Sequence, residues 1–162
     1  MATTAQNTTQ YANTIASPKV LNPRPGMVFF QSFDHTQSGA GDDGSTVTVF
    51  QIEAGSRLYT HLSTIKFSAF GASRVLKFGW LAYTDPDGTA VSADDDGLFA
   101  ALDVSSAGYK RMIEAPTVGA GLDANGTRLF KSTATLVLTC TGGTWPASAA
   151  ISGLLALAPG GP

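Results

Sequence analysis
The sequence predicts an all-β protein: an antiparallel β-sandwich, of the jelly-roll kind, behind an extended N-terminal arm. Three observations carry that expectation. Short apolar or alternating runs recur between clusters of Gly, Pro and Asp, the pattern of many antiparallel strands joined by turns. No long stretch keeps a 3.6-residue apolar period, so helices are minor. The first 25 residues, dominated at the start by Ala, Thr, Gln and Asn and then punctuated by Pro18, Pro23 and Pro25, cannot bury enough apolar surface to fold alone. The expected division is therefore an arm over residues 1–25 and a sandwich over 26–162. Among sandwiches the choice is a jelly roll, a double-sheet Greek-key arrangement, although the sequence leaves strand order open.

Taken in order, Met1 to Asn13 is dominated by Ala, Thr, Gln and Asn, and Pro18, Pro23 and Pro25 then favour an extended path. No basic start or apolar run at the N-terminus suggests a secretion signal. Met27 to Phe33 reads as the first core strand, Ser38 to Ser45 as a Gly and Asp loop, and Thr46 to Ile52 as a second strand. Arg57 to Ala69 reads as one long strand, broken or bulged near Leu62. In Arg74 to Tyr83, Leu76, Phe78, Trp80 and Ala82 share a face, with Lys77 and Gly79 opposite.

Asp85-Pro86-Asp87-Gly88 is a turn: proline presets φ at the second position and Gly88 suits the fourth. Leu98 to Val104 and Tyr109 to Ala115 are short strands or single helical turns, with Asp96 placed to cap a helix over Gly97 to Ala101. At the end Leu136, Leu138 and Cys140 face one way and Thr135, Thr139 and Thr141 the other. Gly142-Gly143 is expected to turn the chain, and Ala149 to Leu157 to return as the second half of a hairpin.

The 162 residues suffice for one domain with a core that needs no disulfide or metal. Net charge is −2, which leaves no electrostatic footprint for nucleic acid or anionic lipid. Charged residues make up 14%, against roughly 25% in ordinary soluble domains. Solitary proteins usually keep apart through interspersed charge, so this deficit suits a surface covered by partners. Ala147 to Ala158, the longest apolar stretch, is too short to span a bilayer.

The chemical motifs mostly fail on their context. Gly39, Gly41 and Gly44 spell G-x-G-x-x-G, but strand residues Thr46 to Val49 follow where a dinucleotide site needs a helix N-terminus. Gly119-Ala120-Gly121 fails likewise. Asp94, Asp95 and Asp96, near Asp85 and Asp87, are carboxylates of the kind calcium takes, but the EF-hand spacing is missing and a solvated acidic loop is the expectation. His35 and His61 have no zinc-like spacing and no nucleophile elbow accompanies them. Cys140 points inward, where thiols are inert packing. The expectation is a protein without catalytic residues, metal or cofactor. Trp80 is in phase with the core, whereas Trp145, beside Pro146 in a turn, is a candidate exposed ring for a glycan.

Phe67 to Leu76, Ala82 to Val91 with Asp94-Asp95-Asp96, and Thr141-Gly142-Gly143-Thr144-Trp145-Pro146 resemble small structural proteins of tailed bacteriophages, of the capsid decoration (cement) type. The likeness runs from about Met27 to Leu157. It implies jelly-roll subunits, commonly homotrimers, on the outside of an assembled head, with the major capsid protein as partner. It implies synthesis in the host bacterial cytoplasm and residence on the virion surface, with no nucleic-acid or membrane partner. On that reading the arm contacts neighbouring subunits, and Thr8, Tyr11, Ile15, Val20 and Leu21 are its candidate contact residues. The alternative is a phage tail, spike or fibre component that recognises a host-surface glycan.

Overall fold
The computed structural model describes residues 5–7, 27–115 and 117–159. Among the described residues twelve strands follow one another: β1 (Ala5–Asn7), β2 (Phe29–Thr36), β3 (Thr46–Ile52), β4 (Arg57–Phe67), β5 (Val75–Trp80), β6 (Tyr83–Thr84), β7 (Ala90–Val91), β8 (Asp94–Asp103), β9 (Gly108–Arg111), β10 (Thr127–Leu129), β11 (Ala134–Thr141) and β12 (Ala150–Ala158). The helical content among the described residues is one 3-10 turn, Met112–Glu114. The arm's candidate contacts Thr8, Tyr11, Ile15, Val20 and Leu21 lie outside the described residues.

Two sheets form the sandwich. The first runs β1-β3-β11-β5-β8, and the second runs β10-β4-β12-β2, with β9 also on β4. β1 pairs with β3 in parallel; the other pairings are antiparallel. Four consecutive pairs of strands each cross from one sheet to the other: β2 to β3, β4 to β5, β8 to β9 and β11 to β12. Their order is the same in both layers, β3-β11-β5-β8 over β2-β12-β4-β9. That is the wrapped arrangement of a jelly roll, as expected.

The Gly142-Gly143 segment is consequently not a hairpin. β11 pairs with β3 and β5, β12 pairs with β2 and β4, and the chain between them passes from one sheet to the other. Strand alternation reports which face is buried but not which sheet a strand joins. The β2–β3 connection crosses beside it, and the two loops are joined. Gly41 and Trp145 exchange backbone hydrogen bonds of 2.9 and 3.0 Å. Gln37 donates to Ala149 at 2.9 Å, and Gly44 donates to Cys140 at 2.9 Å.

Trp145 sits in this corner and is buried, against the expectation of an exposed ring. Its ring lies 5.6 Å from Phe70 and edge-on to His35 at 6.1 Å. The glycines around it bring the two backbones close enough to close over the indole.

A second correction concerns β8. No helix forms over Gly97 to Ala101; Asp94–Asp103 is one strand, bulged where it pairs with β5. Gly79 explains the distortion, because the Asp94 carbonyl packs where a Cβ would stand. β4 carries the expected irregularity. Its register on β12 shifts between Leu154 and Ala156, leaving Thr60 to Ser63 as a bulge. The Ser63 hydroxyl closes it, donating to the Tyr59 carbonyl at 2.7 Å and accepting from the Ala156 amide at 2.9 Å. The Asp85–Gly88 turn also forms as read: the Gly88 amide donates to the Asp85 carbonyl at 2.9 Å, with Gly88 at φ +84°.

Between the layers lie Phe33, Leu58, Ile65 and Leu155 of the second sheet, against Phe78, Phe99, Leu136 and Leu138 of the first. Trp80 belongs to this core, and the Arg128 guanidinium covers its ring at 4.2 Å. If Trp145 locks the corner, Trp145→Ala should cost about 3–5 kcal/mol, the usual loss for a buried aromatic. Urea unfolding of both proteins measures it, and a loss under 1 kcal/mol would show that the corner closes without the ring.

Candidate functional site
The titratable groups that chemistry would need are held apart or used locally. His35 is buried, and its Nε2 lies 3.1 Å from Gln37 Oε1. His61 is exposed on the β4 bulge and meets the Tyr59 ring edge-on at 5.7 Å. Cys140 is buried within β11, where burial pushes its thiol up to about 11. Asp123 accepts from the amides of Asn125 and Thr127 at 3.0 and 2.9 Å and from the Thr127 hydroxyl at 2.6 Å. These bonds hold its carboxyl below the usual range, as turn-forming hydrogen bonds do for Asp87 and Asp103.

Asp94, Asp95 and Asp96 are not a loop; they open β8 and are all partly buried. Lys77 Nζ lies 3.5 Å from carboxylate oxygens of both Asp95 and Asp96. Burial raises the Asp94 carboxyl, and its hydrogen bond with Asp96 adds to this. Among the described residues, no group of three or more His, Cys, Asp or Glu side chains is placed to hold a metal. Of the glycine look-alikes, Gly39 has open space around it, whereas Gly119 and Gly121 are packing positions. Gly119 and Gly121 donate to the carbonyls of Leu98 and Gly97, and a Cβ on Gly121 would strike the Trp80 ring.

The distinctive surface is the outer face of the second sheet. Register aligns Phe30, Ala156 and Tyr59 in one row across β2, β12 and β4. The next row is Ser32, Leu154, Thr64 and Arg111, and the one after it Asp34, Ser152, Lys66 and Tyr109. Phe30 is 57% exposed and Leu154 42%, values that leave large apolar side chains open to water. The β4 bulge adds exposed Leu62 beside them. Nine large apolar side chains are exposed among the described residues. Seven of them, Met27, Val28, Phe30, Leu62, Tyr109, Leu129 and Leu154, lie on this sheet or just before its first strand. The face is thus an apolar centre with Asp34, Lys66 and Arg111 toward one end, an anatomy typical of interfaces. The outer face of the first sheet carries Thr46, Thr48, Val137, Thr139 and Lys77, of which Thr48, Val137 and Thr139 are buried.

Sequence reading placed Phe30 and Leu154 in strands, over Met27 to Phe33 and Ala149 to Leu157, without giving either a face. The signal available was the doublets Phe29-Phe30 and Leu154-Leu155, which place one apolar side chain on each face of a strand.

No family model matches the chain, and no curated protein matches it either. Solved structures do. A chain of the capsid of Ralstonia phage GP4 superposes with a TM-score of 0.63 at 15% identity, over 97% of this chain and 98% of that one. A chain of the cyanophage Pam1 capsid asymmetric unit gives 0.54 at 10% identity, over 89% and 95%. At such identities the likeness is one of fold.

Two outcomes follow from the buried groups. Native Cys140 should react with a thiol reagent at pH 8 at least about 100-fold more slowly than in urea, since the thiolate is the reactive form. Rapid labelling of folded protein would show that β11 opens. Asp94 carries a raised carboxyl, so its stability cost is absent below 3.8 and sets in as pH rises through the folded value. Asp94→Asn should therefore melt level with the parent below that pH and level or roughly 1–3 °C higher at pH 7. A clear drop at pH 7 would mean that the carboxylate holds a ligand, and a chelator melt of the parent would identify a metal.

Proposed function
We propose that this chain is a virion structural protein of a tailed phage: a capsid decoration (cement) protein that binds the outside of an assembled head, as a homotrimer, and performs no catalysis. The observation that carries the reading is the group of exposed apolar side chains, Phe30, Leu62 and Leu154, on the outer face of the β2-β12-β4 sheet. A shell presents a broad, fixed surface, and a rigid sheet with an apolar centre and a charged end suits it. For the host-glycan alternative both tryptophans are buried, which leaves exposed Tyr109 as the ring such a site would use. The two phage capsid chains of the same fold, matched over nearly their whole length, support the same reading.

The physical action is linkage. A protein that binds the expanded lattice but not its precursor or its dissociated subunits stabilises the lattice in proportion to occupancy. The major capsid protein is the partner on this reading, and the low charge of the chain suits burial on both sides.

Phe30→Glu combined with Leu154→Glu tests it. Both side chains point away from the core, so the melt should move little. Co-sedimentation with shells lacking the protein should weaken by roughly 10- to 100-fold, as for two central apolar contacts. Unchanged sedimentation of a folded variant would remove this face as the docking surface.

A further inference from the structure
The edge of the first sheet points to a contact between copies of this chain. β3 is the outermost strand of that sheet apart from β1, and its sequence, Thr46-Val47-Thr48-Val49-Phe50-Gln51-Ile52, holds no charge and no proline. Edge strands are normally guarded against pairing by such residues, by bulges or by a cover. Here the cover is three residues long: Ala5, Gln6 and Asn7 pair in parallel with Thr46, Val47 and Thr48. The cover also comes from far along the chain, since 21 residues separate Asn7 from Phe29, where β2 begins.

We infer that in the assembled protein the β3 edge of each copy is filled by Ala5–Asn7 of a neighbouring copy, so that the N-terminal strand is exchanged between subunits. This rests on the reading above only in requiring copies side by side. The backbone hydrogen bonds of β1 on β3 are the same whichever copy supplies β1, so exchange sacrifices no contact. A connection of 21 residues can reach up to about 70 Å, against a radius of gyration near ~15 Å for a domain of this size, so a neighbour's edge is within range. Pro18, Pro23 and Pro25 in that connection favour an extended path over a tight return. A tethered segment competes at an effective concentration of about millimolar, which a neighbour held in the same oligomer equals. Exchange then adds main-chain pairing between subunits, which holding the strand within its own chain does not.

Cysteine pairs distinguish the two arrangements. Ala5→Cys and Thr46→Cys are made on separate chains, co-expressed, purified and oxidised at about millimolar protein, the regime of the tethered competitor. Exchange predicts that about half of the protein, as expected for cyclic trimers assembled at random from equal amounts of the two chains, forms a disulfide-linked dimer joining one chain of each kind. With both substitutions on one chain it predicts covalently closed oligomers rather than monomers. Asn7→Cys with Thr48→Cys should repeat the result. Ala5→Cys with Thr48→Cys, two residues out of register and so ~6.6 Å further apart, should not. A double variant that yields only monomer with an internal bond, together with no bonding between the separate chains, overturns the exchange. Absence of any disulfide in every pair overturns it as well. Shell co-sedimentation reads the other face of the molecule, so the decoration reading stands or falls independently.

Discussion

Backbone hydrogen bonds link β2–β12 in one sheet to β3–β11 in the other through Gln37–Ala149, the isolated Gly41–Trp145 bridge and Gly44–Cys140. This linked corner, bent once over a buried indole, sets the architecture. Because β11 and β12 are bonded on their other sides to β5 and β4, the same bend aligns the second crossing, and β8–β9 takes the remaining edge. The two layers are therefore not independent sheets brought together by hydrophobic contact. Their separation and register follow from that linked corner, and the core fills the space that it defines.

Side chains that answer to local rules were legible before the structure. Thr46 to Ile52 is a strand because β-branched residues alternate between clear breaks, and Asp85 to Gly88 turns because its proline and glycine stand where a turn requires them. Cys140 lies inward because its neighbours at two-residue spacing are Leu136 and Leu138. The misreadings share a different cause. Trp145 is buried by the loop around Gly41, about a hundred residues earlier, and nothing beside it in the chain reports that contact. Asp94 to Asp96 start a strand because Lys77 balances two of the carboxylates, and the bulges of β8 erase the period-two pattern. Strand alternation is likewise blind to which sheet a strand enters, which is why a crossing resembled a hairpin.

The interaction surface was legible only in part. Low charge, 14% of the chain, led to the expectation of a surface covered by partners. It does not indicate where. The face follows from which side of β2, β4 and β12 is left without a second layer, a property of three-dimensional packing. Its apolar side chains are expensive to leave in water, at about 25 cal/mol per Å². A sheet face of this kind in a chain otherwise rich in Thr and Ser is best understood as one half of a contact.

The order of the strands in the chain has a consequence for the protein's synthesis. Among the described strands β11 and β12 are made after all the others, yet each lies inside its sheet, with neighbours on both sides. Until they leave the ribosome, β3 has no antiparallel partner next to β5, and β2 has nothing to join it to β4. At roughly 5–20 residues per second, β2 and β3 wait several seconds for those partners, while β5–β8 and β4–β9 can already pair. Partial folding during translation therefore leaves the middle of both layers open until β11 and β12 arrive. A nascent chain cut short before Ala134 would lack the middle of both layers and fall to proteolysis as a whole. Only finished subunits would then reach an assembly site, a form of quality control written into strand order rather than into any binding residue.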